Sequence, residues 1–215
     1  MINIAIDGPS GSGKGTTAKL LAKRLGFKYL DTGSMYRAIA LALRDKGVSK
    51  LEFDVDDLEK IDIDFGDKGV SLNGVLVEDK IRTPQINKLS SDFADIPEIR
   101  SFLSKKQIEI VSGGGYVAEG RDISTVIMPD AALKIYLNAS IEVRAKRRLL
   151  DFEKQGIVQS LDEVKKLILE KDSQDMNRAL DPLVKSKDAV EIDTSDMTIK
   201  EQVDEICKLA QEIVH

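Results

Sequence analysis

The chain has 215 residues, a formal net charge of −5 and 32% charged residues, so it can form one sizeable folded domain. A net acidic chain is a poor candidate for binding long nucleic acids, and its apolar runs are shorter than the roughly 20 residues of a membrane helix. A single cysteine, Cys207, and a single histidine, His215, exclude an internal disulfide, a Ser-His-Asp triad and a cysteine–histidine zinc site. We expect a cytoplasmic protein without a secretion signal, which binds neither a membrane nor a nucleic-acid polymer.

A glycine-rich loop follows the first predicted strand, which contains Ile4 and Ile6. The spacing of Ala18, Leu21 and Leu25 predicts a helix directly after the loop. In a strand, glycine-rich loop and helix of this kind, backbone N–H groups and the helix N-terminus can bind phosphate. The candidate phosphate-binding residues are Gly8, Pro9, Ser10, Gly11, Ser12, Gly13, Lys14, Gly15, Thr16 and Thr17.

This loop departs from the common phosphate-binding pattern at one position. Gly8, Gly13 and Lys14 fit the pattern, but Gly15 stands where serine or threonine is usual, and the hydroxyl comes at Thr16. The ending GKGT resembles nucleoside monophosphate kinases more than GTPases. The alternative interpretation is a glycine-rich turn that binds nothing.

The segment after the loop and its helix carries the second motif. Gly26 is expected to end the helix, and a short strand at 27–30 leads into DTGSMYR, residues 31–37, which opens the next helix. Tyr36 and Arg37 lie off the apolar stripe of that helix. Their place just after a strand end favours ligand binding, although a solvated helix face would also explain them.

A small antiparallel insert is predicted between Ile61 and Val77, where apolar residues alternate with polar ones. Asn73-Gly74 is a strong hairpin signal. Residues 51–60 are typical of a short acidic helix or loop. For 81–91 we predict only a segment that leads out of the insert.

The rest of the chain alternates between predicted helices and strands. The strands are expected at 116–118, 133–137 and 189–192, and the first of them is followed by EGRD, residues 119–122. The helices are expected to begin at Pro97, Ser140, Ser160 and Thr198, the last two with the capping-box residues Glu163 and Glu201. This order implies a mostly parallel sheet of about five strands flanked by helices.

The final helix has an apolar stripe and is predicted to pack on the core. Its members are Val203, Ile206, Ala210 and Ile213. Cys207 falls on the same side and is expected to be a core residue.

Three motifs fall at the sheet edge where ligands bind in such folds: the phosphate loop, residues 31–37 and residues 119–122. Arg100 and the arginines between Arg144 and Arg178 flank them, which is more guanidinium than one triphosphate requires. We interpret this as two phosphate-bearing ligands and therefore phosphoryl transfer, which needs neither histidine nor cysteine.

The chain resembles the bacterial CMP kinase (cytidylate kinase) family over nearly its whole length. The motifs that carry the resemblance occur in the family order: GPSGSGKGT, DTGSMYR, IRTPQINKLSSDFADIPEIR, EGRDISTVIMPDA, RAKRR and DMNRALDPL. The resemblance implies an α/β P-loop kinase with a small antiparallel insert and a helical lid. The implied single domain, 1–215, has a core at 1–46, 84–143 and 179–215, a nucleotide-binding insert at about 47–83 and a lid region at about 144–178.

The resemblance also implies an activity and site residues. The activity is transfer of a phosphoryl group from ATP to CMP, and to dCMP, with Mg²⁺, by a monomer. Lys14, Arg121 and Arg178 would be catalytic. ATP would be held by the phosphate loop with Arg144 and Arg148, for which a solvated basic helix face is the alternative. CMP would be bound by Thr32, Tyr36, Arg37, Ser91, Arg100, Arg121, Asp122, Asp175 and Arg178.

Two residues bear on the metal and on departures from the family. Thr16 would contact Mg²⁺ directly or through water, and Glu119 could orient a metal-bound water. Glu119 stands where the family often has aspartate, and Lys171 replaces an arginine common before the lid aspartate, so it lacks the planar fork.

Three rival functions remain open at the level of sequence. One is a kinase of the same fold acting on UMP, AMP or a non-nucleotide. Another is a nucleotide-binding regulator that turns over slowly, and a third is a partner-binding scaffold. For Asp122, an ion pair with Arg121 or Arg100 is the alternative to reading the cytosine edge.

Overall fold

A computed structural model describes residues 1–214 of the chain. The helices are α1 Lys14–Leu25, α2 Thr32–Asp45, α3 Pro84–Phe93, α4 Pro97–Val111, α5 Ile141–Lys154, α6 Leu161–Asn177 and α7 Ile199–Val214. The strands are β1 Ile4–Asp7, β2 Lys28–Asp31, β3 Ile63–Gly66, β4 Gly69–Leu72, β5 Val75–Leu76, β6 Tyr116–Gly120, β7 Leu133–Asn138 and β8 Val190–Asp193. A short 3₁₀ helix spans Val55–Leu58, and one turn of π-helix spans Ile123–Ile127.

The large sheet is parallel, as predicted. Its five strands follow the order β2-β6-β1-β7-β8. β1 pairs in parallel with β6 on one side and with β7 on the other, and β7 pairs in parallel with β8. All four residues of β1 are buried. The loop that follows β1 therefore starts at the carboxyl end of a central strand, where ligands bind in this class of sheet.

The chain divides into two compact units. The first unit contains residues 1–29 and continues from 115 onward, and the second is Leu30–Gly114. In the first unit, α1 packs on β6 and α7. The predicted core positions Val203, Ile206, Cys207 and Ala210 are buried. Ile213, the last residue of the predicted apolar stripe, lies one turn beyond Ala210 and is 43% exposed.

The second unit contains the predicted antiparallel insert, with β3, β4 and β5 in that order. Asn73 and Gly74 both have positive φ values, 50° and 76°, and join β4 to β5 as a tight turn. α2 packs against α3 and against β4. Its buried residues include Met35, Ile39 and Leu43.

One helix of the second unit was not predicted from the sequence. Residues 81–91 were expected only to lead out of the insert, whereas α3 begins at Pro84 and buries Ile86 and Phe93. The Thr83 hydroxyl accepts a hydrogen bond from Ile86 N at 3.2 Å. Asn87, Ser90, Ser91 and Asp92 have low helix propensity, so the helix depends on its cap and its packing more than on intrinsic propensity.

Local start and stop signals are confirmed. Gly26 ends α1 in the left-handed conformation, and Ser140 caps α5. Ser160 with Glu163 forms the predicted capping box of α6. α5 and α6 then pack together through a small apolar cluster made of Ala145, Phe152, Val164 and Ile168. Among the helices of residues 1–214, none has the length and apolar character that a membrane crossing requires.

Candidate active site

The phosphate loop runs from β1 to α1 in a tight curve. A Cβ atom at Gly8 would lie 2.0 Å from the carbonyl oxygen of Leu137 in β7, so no other residue fits this position. Gly13 precedes α1 with a φ of 96°, and no side chain caps this helix. The N–H groups of the first turn therefore remain without a capping side chain, which is the arrangement of an anion-binding helix start.

The Lys14 side chain folds back over the loop. Its Nζ donates to the carbonyl oxygen of Pro9 at 2.7 Å and to the Ser12 hydroxyl at 3.4 Å. Burial and the nearby positive charge of Arg121 lower the pKa of Lys14 to about 7, against the opposing effect of Glu119 and other carboxylates. A bound polyphosphate would place negative charge beside the Lys14 ammonium group and so favour its charged form.

Glu119 lies beside the start of α1. Its Oε1 would be 3.2 Å from a Cβ atom at Gly15, and the Tyr29 hydroxyl is 3.5 Å from the same oxygen. Thr16, the next residue of the helix, is exposed. A hydroxyl and a carboxylate at one helix start are oxygen donors that fit Mg²⁺, which takes few protein ligands and completes its shell with phosphates and waters.

A buried ion pair from α5 and α6 holds the outer part of the loop. Asp172 accepts a hydrogen bond from Ser10 N at 2.9 Å and pairs with the guanidinium of Arg144. Arg144 also donates to the carbonyl oxygen of Ser10 at 3.0 Å and to that of Ala139 at 3.0 Å. Arg144, predicted to contact ATP, thus holds the backbone of the loop that would bind ATP.

A second set of contacts ties the inner part of the loop to the segment after β8. Arg147 donates to the carbonyl oxygen of Ser12 at 3.2 Å and to that of Thr194 at 2.6 Å. The hydroxyl of Thr17 donates to the side chain of Gln202 in α7 at 2.6 Å. Thr17 and Gln202 are both fully buried, so this bond is shielded from water.

Asp175 in α6 pairs with two cationic side chains near the end of β6. Arg121 Nε donates to its Oδ2 at 2.7 Å, and Lys171 Nζ lies 2.9 Å from its Oδ1. Burial would raise the pKa of Asp175, but Arg121 and Lys171 outweigh it and lower the pKa to about 2. Lys171 occupies the position of the arginine expected from the resemblance and makes a single contact in its place.

Arg178 and Asp122 form a second buried pair. Arg178 Nη2 donates to Asp122 Oδ2 at 3.3 Å, and Arg178 Nε donates to the carbonyl oxygen of Asp181 at 2.7 Å. Arg178 also lies 3.8 Å from Asp175. Arg121, Arg178 and Lys171 thus converge on two carboxylates, with their positions set by α6 and the end of β6.

Asp7, the last residue of β1, fixes the segment that carries Asp122. It is buried and accepts hydrogen bonds from Ile123 N and Ser124 N, both at 2.8 Å. The Ser124 hydroxyl donates to it at 2.5 Å. These bonds hold the turn of π-helix that directly follows Asp122.

In the second unit, Asp31 is the centre of a polar cluster at the start of α2. Its side chain caps the helix by accepting from Ser34 N at 2.9 Å. Arg37 Nη2 donates to Asp31 Oδ2 at 3.0 Å and to the Ser34 hydroxyl at 2.8 Å. Burial would raise the pKa of Asp31, but the charges of Arg37 and Arg82 and the bonds from Ser34 lower it to about 2.

The remaining predicted residues of the second unit lie on three helices. Arg100 is buried in α4, donates to the carbonyl oxygen of Ala94 at 3.3 Å and lies 5.6 Å from the ring centre of Tyr36. The Ser91 hydroxyl donates to Asn87 O at 3.2 Å, and Thr32 is buried at the start of α2.

Arg148 differs from the other predicted ATP-binding residues. Its guanidinium lies 4.7 Å from the ring centre of Phe152 within α5. Arg147, one residue earlier, contacts the loop, as Arg144 does.

Several functional residues were not predicted. They hold other residues in place: Asp7, Arg82, Arg147, Asp172, Thr194 and Gln202. The sequence distance between Thr17 and Gln202 is 185 residues, so no local pattern could have indicated that pair. Asp172 had a local signal, since it lies on the same helix as Asp175 and one turn before it. Arg147 and Arg82 lie inside the motifs RAKRR and IRTPQINKLSSDFADIPEIR.

The fold and the loop define a P-loop kinase. A family model described as "Cytidylate kinase" matches residues 4–212, and the chain belongs to this family and is a phosphotransferase. It is 49% identical to a cytidylate kinase of Fervidobacterium nodosum, over 97% of this chain and 96% of that protein. A cytidylate kinase of Thermotoga neapolitana is 44% identical, over 97% and 96% of the two chains. The shikimate kinase of Acinetobacter baumannii shares the fold, with a TM-score of 0.51 at 17% identity over 99% of this chain and 94% of that one.

Proposed function

We propose that the chain transfers the terminal phosphoryl group of ATP to CMP, and to dCMP, and releases ADP with CDP or dCDP. The observation that carries the proposal is the first unit's combination of a phosphate loop and a separate cluster of partly buried cations. Lys14 bonds to the loop. Near the end of β6, Arg121 pairs with Asp175, and Arg178 pairs with Asp122. Two phosphate-binding groups of this kind suit a donor and an acceptor that both carry phosphate.

On the donor side, the backbone N–H groups of the loop and the Lys14 ammonium would bind the β- and γ-phosphates. An acceptor phosphate oxygen forms a bond to the γ-phosphorus, and the bond from that phosphorus to the β–γ bridging oxygen breaks. Lys14 neutralises charge on the transferring group, which is the contribution that matters most in such a transition state. Thr16 and Glu119 would hold Mg²⁺, which neutralises phosphate charge when bound.

On the acceptor side, Arg121, Arg178 and Arg37 are proposed to bind the phosphate of CMP. Arg121 already pairs with Asp175, and Arg178 pairs with Asp122 and Asp175, so a phosphate would compete with or join these carboxylates. Base and sugar contacts are assigned as the family resemblance implies. They are proposed for Thr32, Tyr36, Ser91, Arg100, Asp122 and Asp175.

Two segments are proposed to rearrange when nucleotides bind. They are the insert at about 47–83 and the lid region at about 144–178. In the lid region, Arg144 and Asp172 hold the phosphate loop in the free protein. A closing motion of the lid would therefore pivot near these two residues rather than carry them along.

The decisive experiment measures ADP release by the full chain with ATP, Mg²⁺ and one acceptor at a time. The acceptors are CMP, dCMP, UMP and AMP. We expect CMP and dCMP to give the highest kcat/KM. Lys14→Met is the control variant, and it should lower kcat by about two to three orders of magnitude because it removes a preorganised charge from the loop.

Other results would favour the rival functions. Faster turnover with UMP or AMP than with CMP would indicate a kinase with a different acceptor. ATP binding without turnover of any acceptor would indicate a nucleotide-binding regulator. In either case the assignment to CMP would be wrong.

A further inference from the structure

Arg82 belongs to the second unit and is not among the nucleotide-binding residues proposed above. It lies between β5 and α3 and donates from Nη2 to Asp31 Oδ2 at 3.1 Å and to the Ser34 hydroxyl at 3.2 Å. These are the same two oxygens that receive Arg37. Two arginines from distant parts of the unit therefore share one carboxylate.

The Arg37 guanidinium has an N–H donor that this arrangement does not use. Its Nη2 is bonded to Asp31 and Ser34, but its Nε is buried without a hydrogen-bond partner. Nε and Nη2 lie on one edge of the guanidinium and together form a fork that matches two oxygens of a phosphate. An anion bound at that fork would draw Nη2 away from Asp31, and a buried donor without a partner is a costly feature unless a ligand uses it.

Arg82 is well placed to hold Asp31 when that happens. Its backbone is fixed on both sides, by buried Ile81 and by Thr83, which caps α3. Its Nε donates to Glu78 Oε1 at 2.9 Å, and this bond fixes the orientation of the guanidinium. Asp31 is buried and would otherwise lose its cationic partner whenever Arg37 turned to a ligand.

We propose that Arg82 is a positioning residue for the phosphate of the acceptor nucleotide: it keeps Asp31 and Ser34 paired while Arg37 offers its Nε–Nη2 edge to that phosphate. The inference rests on the proposed function. It assigns to Arg82 an effect on the acceptor that is transmitted through Arg37, without contact between Arg82 and the nucleotide.

The test compares three variants of the full chain by initial rates, with CMP and ATP varied separately, and by calorimetric binding of CMP alone. They are Arg82→Ala, Arg82→Lys and Arg44→Ala. Arg44 is the matched control, because it lies in α2 and pairs with its neighbour Asp45 away from this cluster. We expect Arg82→Ala to raise the KM and Kd for CMP about tenfold, with kcat and the KM for ATP within about twofold of the parent. Arg82→Lys should recover part of the loss, and Arg44→Ala should change neither constant.

Each alternative has its own outcome. A lowered melting temperature with unchanged CMP constants would reduce Arg82 to a structural residue and overturn the inference. Equal losses for CMP and ATP would overturn it as well. If Arg82→Ala does not fold, Arg82→Lys carries the test, since it keeps the charge and loses the fork. Failure of the unchanged protein to use CMP would instead contradict the proposed function.

Discussion

The Glu119 side chain occupies the space that a side chain at position 15 would need. A Cβ atom on Gly15 would lie 3.2 Å from Glu119 Oε1, closer than an ordinary van der Waals contact. The glycine that replaces the usual hydroxyl residue after the loop lysine is thus matched to a long carboxylate side chain on β6.

We expect Gly15→Ala to lower kcat/KM for ATP, because the added methyl group displaces Glu119 from the start of α1. Folding stability should change little, because Glu119 Oε1 is the end of a flexible side chain and alanine has the better helix propensity, by about 1 kcal/mol. The shorter side chain of Glu119→Asp should relieve the close contact. Kinetics of the two single variants and the double variant give the coupling, and additive effects would show that the two residues act independently.

The depressed pKa of Lys14 predicts a pH-dependent stability. The folded pKa of about 7 lies below the usual 10.5. Between these values the unfolded chain holds a proton that the folded chain has released, so the stability contributed at this site rises with pH. Lys14→Met removes this dependence. Both proteins are unfolded in urea without nucleotide at several pH values from 7 to 9. The free energy of unfolding of the parent should rise with pH relative to that of the variant. A constant difference would contradict the lowered pKa.

Asp122 is expected to set the preference for cytosine over uracil. A carboxylate accepts from the cytosine amino group but meets an acceptor oxygen in uracil, a difference of roughly 1–3 kcal/mol. Asp122→Asn should lower CMP turnover and raise the UMP-to-CMP ratio of kcat/KM, because the amide can turn its NH₂ toward the uracil oxygen.

The pair of Asp122 with Arg178 gives the alternative for this residue. If Asp122 only supports Arg178, both acceptors should lose activity in equal proportion. Arg178→Lys is the matched variant, because it removes the fork and leaves the carboxylate in place.

Asp172 is expected to stabilise both the fold and the phosphate loop. Asp172→Asn leaves the buried Arg144 without its ionic partner, which should lower the free energy of unfolding by about 1–3 kcal/mol and raise the KM for ATP. Glu170→Gln is the control, since Glu170 lies in the same helix, forms an exposed pair with Lys166 and should change little. An unchanged KM for ATP would mean that the loop keeps its shape without this pair.

Elements with a strong local signal could be predicted from the sequence. The turn at Asn73-Gly74, the Gly26 cap and the box of Ser160 with Glu163 each depend on residues a few positions apart. The motif at 119–122 was correctly placed at a strand end, because a short buried run precedes it.

What the sequence could not reveal is the support behind these motifs. Arg144 was predicted to contact ATP, and its contacts that hold the loop depend on the tertiary placement of α5 and α6 beside the phosphate loop. The bond of Thr17 with Gln202 joins residues from opposite ends of the chain, and tertiary packing alone brings them together. Such pairs have no period and no spacing rule, so a pattern in one sequence carries no trace of them.

The bond between Thr17 and Gln202 has a consequence for the growing polypeptide. The ribosome makes Thr17 early and Gln202 185 residues later, which at 5–20 residues per second is a delay of about 10–40 s. During that interval the loop sequence exists without α7 and without the Thr194 segment that holds Ser12. A nascent chain halted before residue 194 should therefore bind nucleotide weakly, and full affinity should arise late in synthesis, when the final strand and helix reach the sheet.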